Sequence, residues 1–384
     1  MRKNIEQLRN PCIGIDNLLA NGCLMRISIA VTNDLSYDQR MIRICHSLVA
    51  AGHEVTWVGR LRPDSIPVDH TPYRQVRLRG LFEKGPGFYL EHNLRVFFYL
   101  LSRDTDLFWA VDLDMAPAIW LASACRRKPR LMDAHELFCE MRELKDRHFS
   151  RFVWRCIERL MIPRFPTGCT VSEPIARHYQ AIYGVRYVVV RNLPVRYALE
   201  EGSSAEPFIL YQGAVNEGRC FEQLIPAMAH VEMPLHIYGK GNFLRQAKEL
   251  VQKYGVADKV FFKGILPPAA LQRVTIQAYV GISLFEKGVL QNEWSLANRF
   301  FDFIQAGVPQ LCSDFPEYRK VVEKYPVASL LDDHCPMAIA KALNKMIQNQ
   351  VLHMSMHDAC RKAAMVFHWQ GEEKALLEML DNLS

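Results

Sequence analysis

Arg299 and Asp302 stand three residues apart in a stretch with both ends marked. Residues 291–309, QNEWSLANRFFDFIQAGVP, begin polar and pass through Ala297-Asn298-Arg299. They turn apolar at helical spacing over Phe300, Phe301, Phe303, Ile304 and Ala306, then stop at Gly307-Val308-Pro309. This predicts a helix with its start and stop signals in place. A helix opening near Ala297 presents free backbone N–H groups and the positive end of its dipole, an anion site suited to a diphosphate. Arg299 falls in its first turn. Asp302 comes one turn later, where a carboxylate stays ionised and accepts two hydrogen bonds from a ribose diol. An amphipathic core helix with both side chains on its solvated face has the same pattern. A second arginine closes a glycine-bearing stretch, Gln212-Gly213-Ala214-Val215-Asn216-Glu217-Gly218-Arg219. Between a strand and a helix, such a loop either holds a phosphate or simply turns the chain.

The first half carries two polar clusters after apolar strand patterns, Asp112-Leu113-Asp114 and Asp133-Ala134-His135-Glu136. If those strands share a parallel sheet, both clusters meet at its carboxyl edge, where open α/β sheets bind ligands. The alternative is turn and N-cap chemistry, which aspartate supplies routinely. Eleven cysteines run from Cys12 to Cys360 with no CxxC pair, so neither a zinc spacing nor a disulfide framework is legible. Reduced thiols in a reducing, cytoplasmic compartment are expected, with no metal site.

Composition narrows the classes further. With 49% hydrophobic and 23% charged residues over 384 positions, the chain can bury two cores and is not a disordered one. Its net charge of +6 favours phosphate-bearing ligands or acidic lipid surfaces but lacks the dense basic cluster of a nucleic-acid binder. No apolar run reaches the roughly 18–20 residues that cross a bilayer. Residues 1–24 show neither a sustained period nor the pattern of a signal peptide, and are expected to form a loose extension.

The elements that must position these groups alternate. Arg26-Ile27-Ser28-Ile29-Ala30-Val31 reads as a strand, 37–51 as a helix and 54–59 as a second strand, which is a βαβ unit and hence a parallel sheet. A helix over 94–101, a strand over 107–111, a helix over 116–125 and a strand ending at Met132 follow. Over 147–159 arginine recurs every fourth residue, opposed by an apolar stripe of Phe149, Phe152, Val153, Cys156 and Leu160. Such a helix either rests on an anionic membrane or packs its stripe against its own domain. Ser172 is the expected N-cap of the next helix, and 187–190 a further strand. Periodicity is lost over 196–207, which contains Gly202-Ser203-Ser204 and reads as a linker. A second series of about seven alternations then begins at Phe208, and a helix over about 369–380 closes the chain.

Order and spacing of the motifs carry a resemblance. VTNDLSYDQR with GHEVTWVGR, then WAVDLDMAPA, MDAHELF, TVSEPIA, VVRNLP, YQGAVNEGR, IYGKG, FKGILP, LANRFFDFIQAGVP and SDFPE follow one another as in the retaining glycosyltransferases of family 4. The resemblance implies the α/β GT-B architecture, two doubly wound Rossmann-like domains with an interdomain cleft. It implies an acceptor domain at 25–195, a donor domain at 208–368, and residues 369–384 as a C-terminal helix returning to the first domain. Arg219 and Arg299 would then steady the donor diphosphate and Asp302 the ribose. Gly213, Ala297 and Asn298 would line the donor site, and Gly264 and Ile265 would meet the nucleobase. His135 and Asp112 would act on the transferred sugar, with Asp114 and Glu136 beside them. Three positions depart from the family pattern: Trp294 replaces the first of two acids spaced eight apart, with Asn292 and Glu293 as its neighbours, Ala214 replaces a second basic residue, and Cys220 a frequent glycine.

The resulting expectation is a retaining, metal-independent glycosyltransferase of hexosyl type without a cofactor. Its partners would be a nucleotide-sugar donor and a glycan or lipid-linked acceptor. Residues 147–162 would make a peripheral contact with the inner face of the membrane, and cell-surface polysaccharide or glycoconjugate synthesis would be the setting. A sugar-nucleotide epimerase shares the two-domain plan. A nicotinamide-dependent dehydrogenase is the weaker alternative, because Gly239-Lys240-Gly241 lacks the third glycine of a dinucleotide fingerprint. A non-catalytic sugar-nucleotide binder is the remaining class.

Overall fold

The computed structural model describes residues 24–36, 38–63, 65–67, 70–197 and 206–382. The expected extension, apart from Leu24, and the Gly202-Ser203-Ser204 stretch lie outside the described residues. The chain forms two parallel sheets. The first is built from β1 (Arg26–Ala30), α1 (Gln39–Ala50), β2 (Glu54–Arg60), β3 (Arg74–Leu78), α2 (Gly85–Leu101), β4 (Leu107–Val111), α3 (Asp112–Arg126) and β5 (Arg130–Ala134). It continues with α4 (Arg142–Lys145), α5 (His148–Met161), β6 (Gly168–Thr170), α6 (Glu173–Tyr183) and β7 (Val188–Val189). Its seven strands lie in the order β3-β2-β1-β4-β5-β6-β7.

The second sheet opens with β8 (Ile209–Gln212), α7 (Phe221–Ala227), β9 (Leu235–Tyr238), α8 (Leu244–Lys253), β10 (Val260–Gly264), α9 (Pro268–Gln277) and β11 (Val280–Ser283). Next come α10 (Leu290–Trp294), α11 (Asn298–Gln305), β12 (Gln310–Ser313), α12 (Pro316–Lys324), β13 (Ala328–Leu331), α13 (Pro336–Gln348) and α14 (Gln350–Ala364). Six strands, not about seven, lie in the order β10-β9-β8-β11-β12-β13. The strand order therefore reverses between β1 and β4 in one sheet and between β8 and β11 in the other. Those two switch points open crevices at the carboxyl edges, where the polar loops are found.

Both faces of the first sheet are covered. Ile29, Trp57 and Trp109 face α1, while Ala110, Met132 and Phe108 face α2, α3 and α5. The last helix, α15 (Trp369–Asp381), joins the α1 layer. There the Trp369 indole N–H donates to Ser47 Oγ at 2.9 Å, and Glu372 pairs with Arg191 at 3.0 Å.

Several boundaries differ from expectation for identifiable reasons. β5 runs two residues past Met132 because Asp133 is neutralised inside the sheet: Arg40 reaches both of its carboxylate oxygens at 2.8 Å, and neither residue is accessible beyond 2%. Burial alone would raise the Asp133 pKa, but the Arg40 guanidinium holds it well below the usual carboxylate range. α2 begins at Gly85 instead of 94, with Pro86 in its first turn, and α3 begins at Asp112 instead of 116. β3, RQVRL, is a partly buried edge strand without a clear apolar alternation. Ser172 occupies the N-cap of α6, but its hydroxyl makes no capping bond.

Candidate active site

The two carboxyl edges face each other across a cleft of about 770 Å³. On the second-domain side, α11 enters through Ala297, an N-cap without a side-chain acceptor, so its first turn is left to backbone groups and the dipole. Arg299, only 8% exposed, donates from Nη1 to the Gln212 carbonyl at 3.1 Å. Its guanidinium carbon lies 4.5 Å from the Tyr211 ring centre and 4.6 Å from that of Phe285. Arg219 also sits 4.6 Å from the Phe285 ring centre, with Nη1 3.5 Å from Asn292 Oδ1.

Two cations thus share one aromatic ring, and neither forms an ion pair among the described residues. Nε and Nη2 of Arg299 are buried without a hydrogen-bond partner. Burial, then the charge of Arg299, pushes the Arg219 pKa down from its ordinary value. A dianion between the two guanidinium groups would relieve both effects.

Asp302 forms the next part of this wall. It accepts from Gln212 Nε2 at 3.2 Å, and Gln212 is itself fixed by the Thr275 hydroxyl at 2.7 Å. Burial pushes the Asp302 pKa up to about 6, against the charges of Arg43 and Arg299. Arg43 comes from α1 in the first domain, donates to Asn192 Oδ1, and Asn192 in turn bonds Asn298 Oδ1 at 2.7 Å. This relay joins the first domain to the start of α11. Glycines bring the backbone close here: a Cβ on Gly239 would lie 1.8 Å from the Gly213 carbonyl oxygen. The GKG stretch therefore packs against the β8 loop, and α8 starts only at Leu244.

On the first-domain side, the residues at the ends of β4 and β5 form a locked group. Asp112 adopts φ 58°, a left-handed conformation costly for a non-glycine residue. In that conformation its Oδ1 accepts the backbone N–H groups of His135 and Glu136 at 3.1 and 3.0 Å, while Oδ2 lies 2.9 Å from His135 Nε2. His135 Nδ1 is 3.8 Å from Asp133. Burial opposes the charged imidazole, but Asp112 and Asp133 outweigh it and hold the His135 pKa well above its ordinary value. Burial and the Asp112 charge push the Glu136 pKa up to about 7. His135 and Glu136 line the cleft. Asp112 and Asp114 lie behind them; Asp114 accepts from the Thr32 hydroxyl at 2.6 Å, and burial with the Asp112 charge pushes its pKa up to about 7.

Gly213, Arg219, Asn292, Ala297, Asn298, Arg299 and Asp302 share the cleft wall. Gly264 and Ile265 do not line it; the Gly264 carbonyl accepts from Gly239 N at 2.7 Å and Ile265 is exposed. Glu293 turns away to accept from Gly288 N at 2.7 Å. Trp294 spans the domains, its ring centre 5.4 Å from that of His178. Sequence reasoning did not single out Gln212, Phe285, Arg43, or the Arg142–Glu286 ion pair that crosses between domains at 2.9 Å. Gly218, the second glycine of the Gln212–Arg219 loop, was the available signal for that last contact, because at φ 78° it lies beside both Arg142 and Glu286.

Two Rossmann-like sheets facing a cleft, with a cationic wall in the second, are the GT-B architecture. Residues 39–193 match the family model described as Glycosyltransferase Family 4, and residues 200–365 the model described as Glycosyl transferases group 1. No curated protein matches the sequence. Among solved structures, sucrose-phosphate synthase from Thermosynechococcus elongatus is similar with a TM-score of 0.74 at 17% identity, covering 94% of this chain and 99% of that one. HepE from Anabaena, in complex with UDP and glucose, has a TM-score of 0.71 at 12% identity, with 93% and 99% covered. A putative UDP-N-acetylglucosamine 2-epimerase from Listeria monocytogenes has a TM-score of 0.61 at 14% identity, with 93% and 96% covered. These likenesses concern the fold.

Proposed function

We propose that this protein is a retaining hexosyltransferase that moves a sugar from a nucleoside diphosphate donor to a glycan or lipid-linked acceptor, in cell-surface polysaccharide or glycoconjugate assembly on the cytoplasmic side. The observation that carries this reading is the Arg219–Phe285–Arg299 arrangement at the start of α11. In this reading 25–195 is the acceptor domain, 196–207 the linker, 208–368 the donor domain and 369–384 the return to the first domain. As the bond between the anomeric carbon and the β-phosphate oxygen breaks, charge grows on the diphosphate. Two guanidinium groups and a helix dipole already point there, in a partly desolvated site. Neither a metal nor a cofactor is required for that stabilisation, so turnover should survive chelation.

His135, held protonated by two carboxylates, is unsuited to act as a base; its Nε2–H is taken by Asp112 and its buried Nδ1 faces Asp133, so it stabilises the donor sugar through the imidazolium charge at the cleft wall. The acceptor hydroxyl attacks from the face the diphosphate leaves, its oxygen bonds to the anomeric carbon, and its proton passes to the departing phosphate oxygen. Asp112 is a positioning residue: it orients His135 and ties down the loop carrying Glu136. Incubating the enzyme with UDP, GDP and ADP sugars and candidate acceptors, then reading the product anomer by NMR, tests this. An inverted anomer would assign Glu136 as base and overturn the retaining step.

The Glu136 carboxyl, pushed up to about 7 and lining the cleft, favours a second reading. A carboxyl poised near neutrality can shuttle a proton, as an epimerase needs. Epimerised donor formed without any acceptor would support that reading, and transfer product alone would exclude it.

A further inference from the structure

The apolar stripe of α5 faces solvent. Trp154, Ile157 and Met161 turn inward, where Trp154 meets Phe138 and Tyr89. Phe149 and Phe152, at 80% and 65% exposure, lie on the opposite side with Val153 and Leu160. Arg151 does not extend into water either: it donates to the Cys139 carbonyl and pairs with Glu140. On the same side of the first sheet, α2 repeats the arrangement. Phe88, His92, Val96 and Leu100 are buried at four-residue spacing, while Leu90, Leu94 and Phe98 are exposed on the outer face. Leu121 of α3 is exposed on the helix packed against both. The loop before α2 is held in place, not loose: Glu91 accepts the backbone N–H groups of Leu81 and Phe82, and Arg60 donates to the Phe82 carbonyl at 2.6 Å. It presents Leu81 and Phe82 outward.

We propose that the outer face of α2, α3 and α5 is a docking surface for an anionic lipid bilayer. Three neighbouring helices with outward apolar side chains exceed the scattered exposure normal for a soluble surface. The rim fixes the occupant. Arg147 and Arg159 on and beside α5 and Arg127 at the end of α3 are exposed cations, while Arg155 and Arg126, also exposed, pair with Glu140 at 2.8 Å and Asp104 at 3.4 Å. The acids of α2 and α5 are withdrawn, since Glu91 binds the Leu81–Phe82 backbone and Glu158 is buried against the Tyr183 hydroxyl at 2.6 Å. Aromatic and aliphatic side chains flanked by cations match the interface of an acidic bilayer. A second copy of the chain would bring the same cationic rim against itself, which opposes association.

The test is co-sedimentation of the full chain with phosphatidylcholine vesicles with and without phosphatidylglycerol, at low and high salt. The expected result is binding to the phosphatidylglycerol vesicles, weakened by salt. Phe149→Ser with Phe152→Ser, Leu94→Ser with Phe98→Ser, and Arg147→Glu with Arg159→Glu should each raise the lipid needed for half-binding at least tenfold. The variants should keep the wild-type melting temperature and nucleoside diphosphate affinity, because all six positions lie away from the cleft. Failure of the wild type to sediment at low salt overturns the proposal, as does unchanged binding by both serine pairs. A wild-type dimer that the serine pairs abolish, seen by analytical ultracentrifugation, also overturns it. A wild type that binds none of UDP, GDP and ADP would count against the donor assignment alone and leave the vesicle result standing.

Discussion

Asp302 offers a prediction whose size follows from its surroundings. Its carboxyl is pushed up to about 6 by burial, and Gln212 already occupies one of its oxygens. If the ionised form accepts the ribose diol, protonation removes that acceptor. Donor affinity should therefore weaken as pH falls through 6. When only the ionised form binds, the apparent Kd scales with the inverse of the ionised fraction, so at pH 5 it should be about elevenfold above its high-pH plateau. An intact nucleotide sugar is the right probe, because its diphosphate is a diester without the terminal phosphate ionisation near 6. Isothermal calorimetry from pH 5 to 8 would read this directly. Asp302→Ala should remove the pH dependence and raise Kd at least tenfold at pH 8, since one charge-assisted hydrogen bond is worth about 1.5–3 kcal/mol. A variant that keeps the wild-type Kd, or the same pH profile, would refute the ribose contact.

His135→Ala should lower kcat about 10²-fold while leaving nucleotide affinity nearly unchanged, because the diphosphate is held by the other domain; steady-state kinetics beside calorimetry checks the split. Asp112→Asn should give a smaller loss together with a shifted pH profile, since His135 loses the carboxylate that keeps it charged. Arg40→Ala should destabilise the protein by about 3–5 kcal/mol in urea unfolding, by leaving the Asp133 carboxylate buried and unpaired. Melting temperature should also depend on pH in a particular direction. Asp302, Asp114 and Glu136 titrate higher in the folded chain than unfolded, so the stability each contributes is present below about pH 4 and lost as pH rises through about 6 to 7. Asp133 acts oppositely, its contribution present above the unfolded carboxylate range and lost only in stronger acid. His46, His53, His92, His236, His334 and His353, whose pKa burial lowers, act in the opposite sense over pH 5 to 7, so the check is the wild type against Glu136→Gln: the variant should gain melting temperature relative to the wild type as pH rises from 5 to 8, and no such gain would contradict the assignment.

What could be read without the structure was what a continuous stretch contains. α11 declared itself because its start, apolar face and glycine stop all fall within 291–309, and the alternation of strands and helices implied the two sheets. α2 was truncated because it carries apolar side chains on both faces, which erases the periodicity that marks a helix. Asp133 looked like the start of a loop because its neutralising partner, Arg40, lies 93 residues away. The apolar stripe of α5 was visible, but amphipathicity alone does not say which way a helix is turned; Trp154, Glu158 and Arg151 decide it through partners elsewhere in the fold. Arg299 was legible as a basic residue in the first turn of a helix, and Arg219 as one in a phosphate-type loop. Their sharing of the Phe285 ring was not, because β11 and α11 meet only in the folded domain.

Calorimetric titration of UDP, GDP and ADP, each against its nucleoside, tests the central claim most directly when run on the wild type and on Arg219→Ala with Arg299→Ala. If the paired guanidinium groups hold the diphosphate, one nucleoside diphosphate should bind the wild type far more tightly than its nucleoside. In the double variant that difference should shrink at least a hundredfold, as two charge-assisted contacts of about 1.5–3 kcal/mol each are lost, while the weak nucleoside affinity persists. A wild type that binds diphosphate and nucleoside equally, or a double variant that keeps the full preference for the diphosphate, would contradict the account.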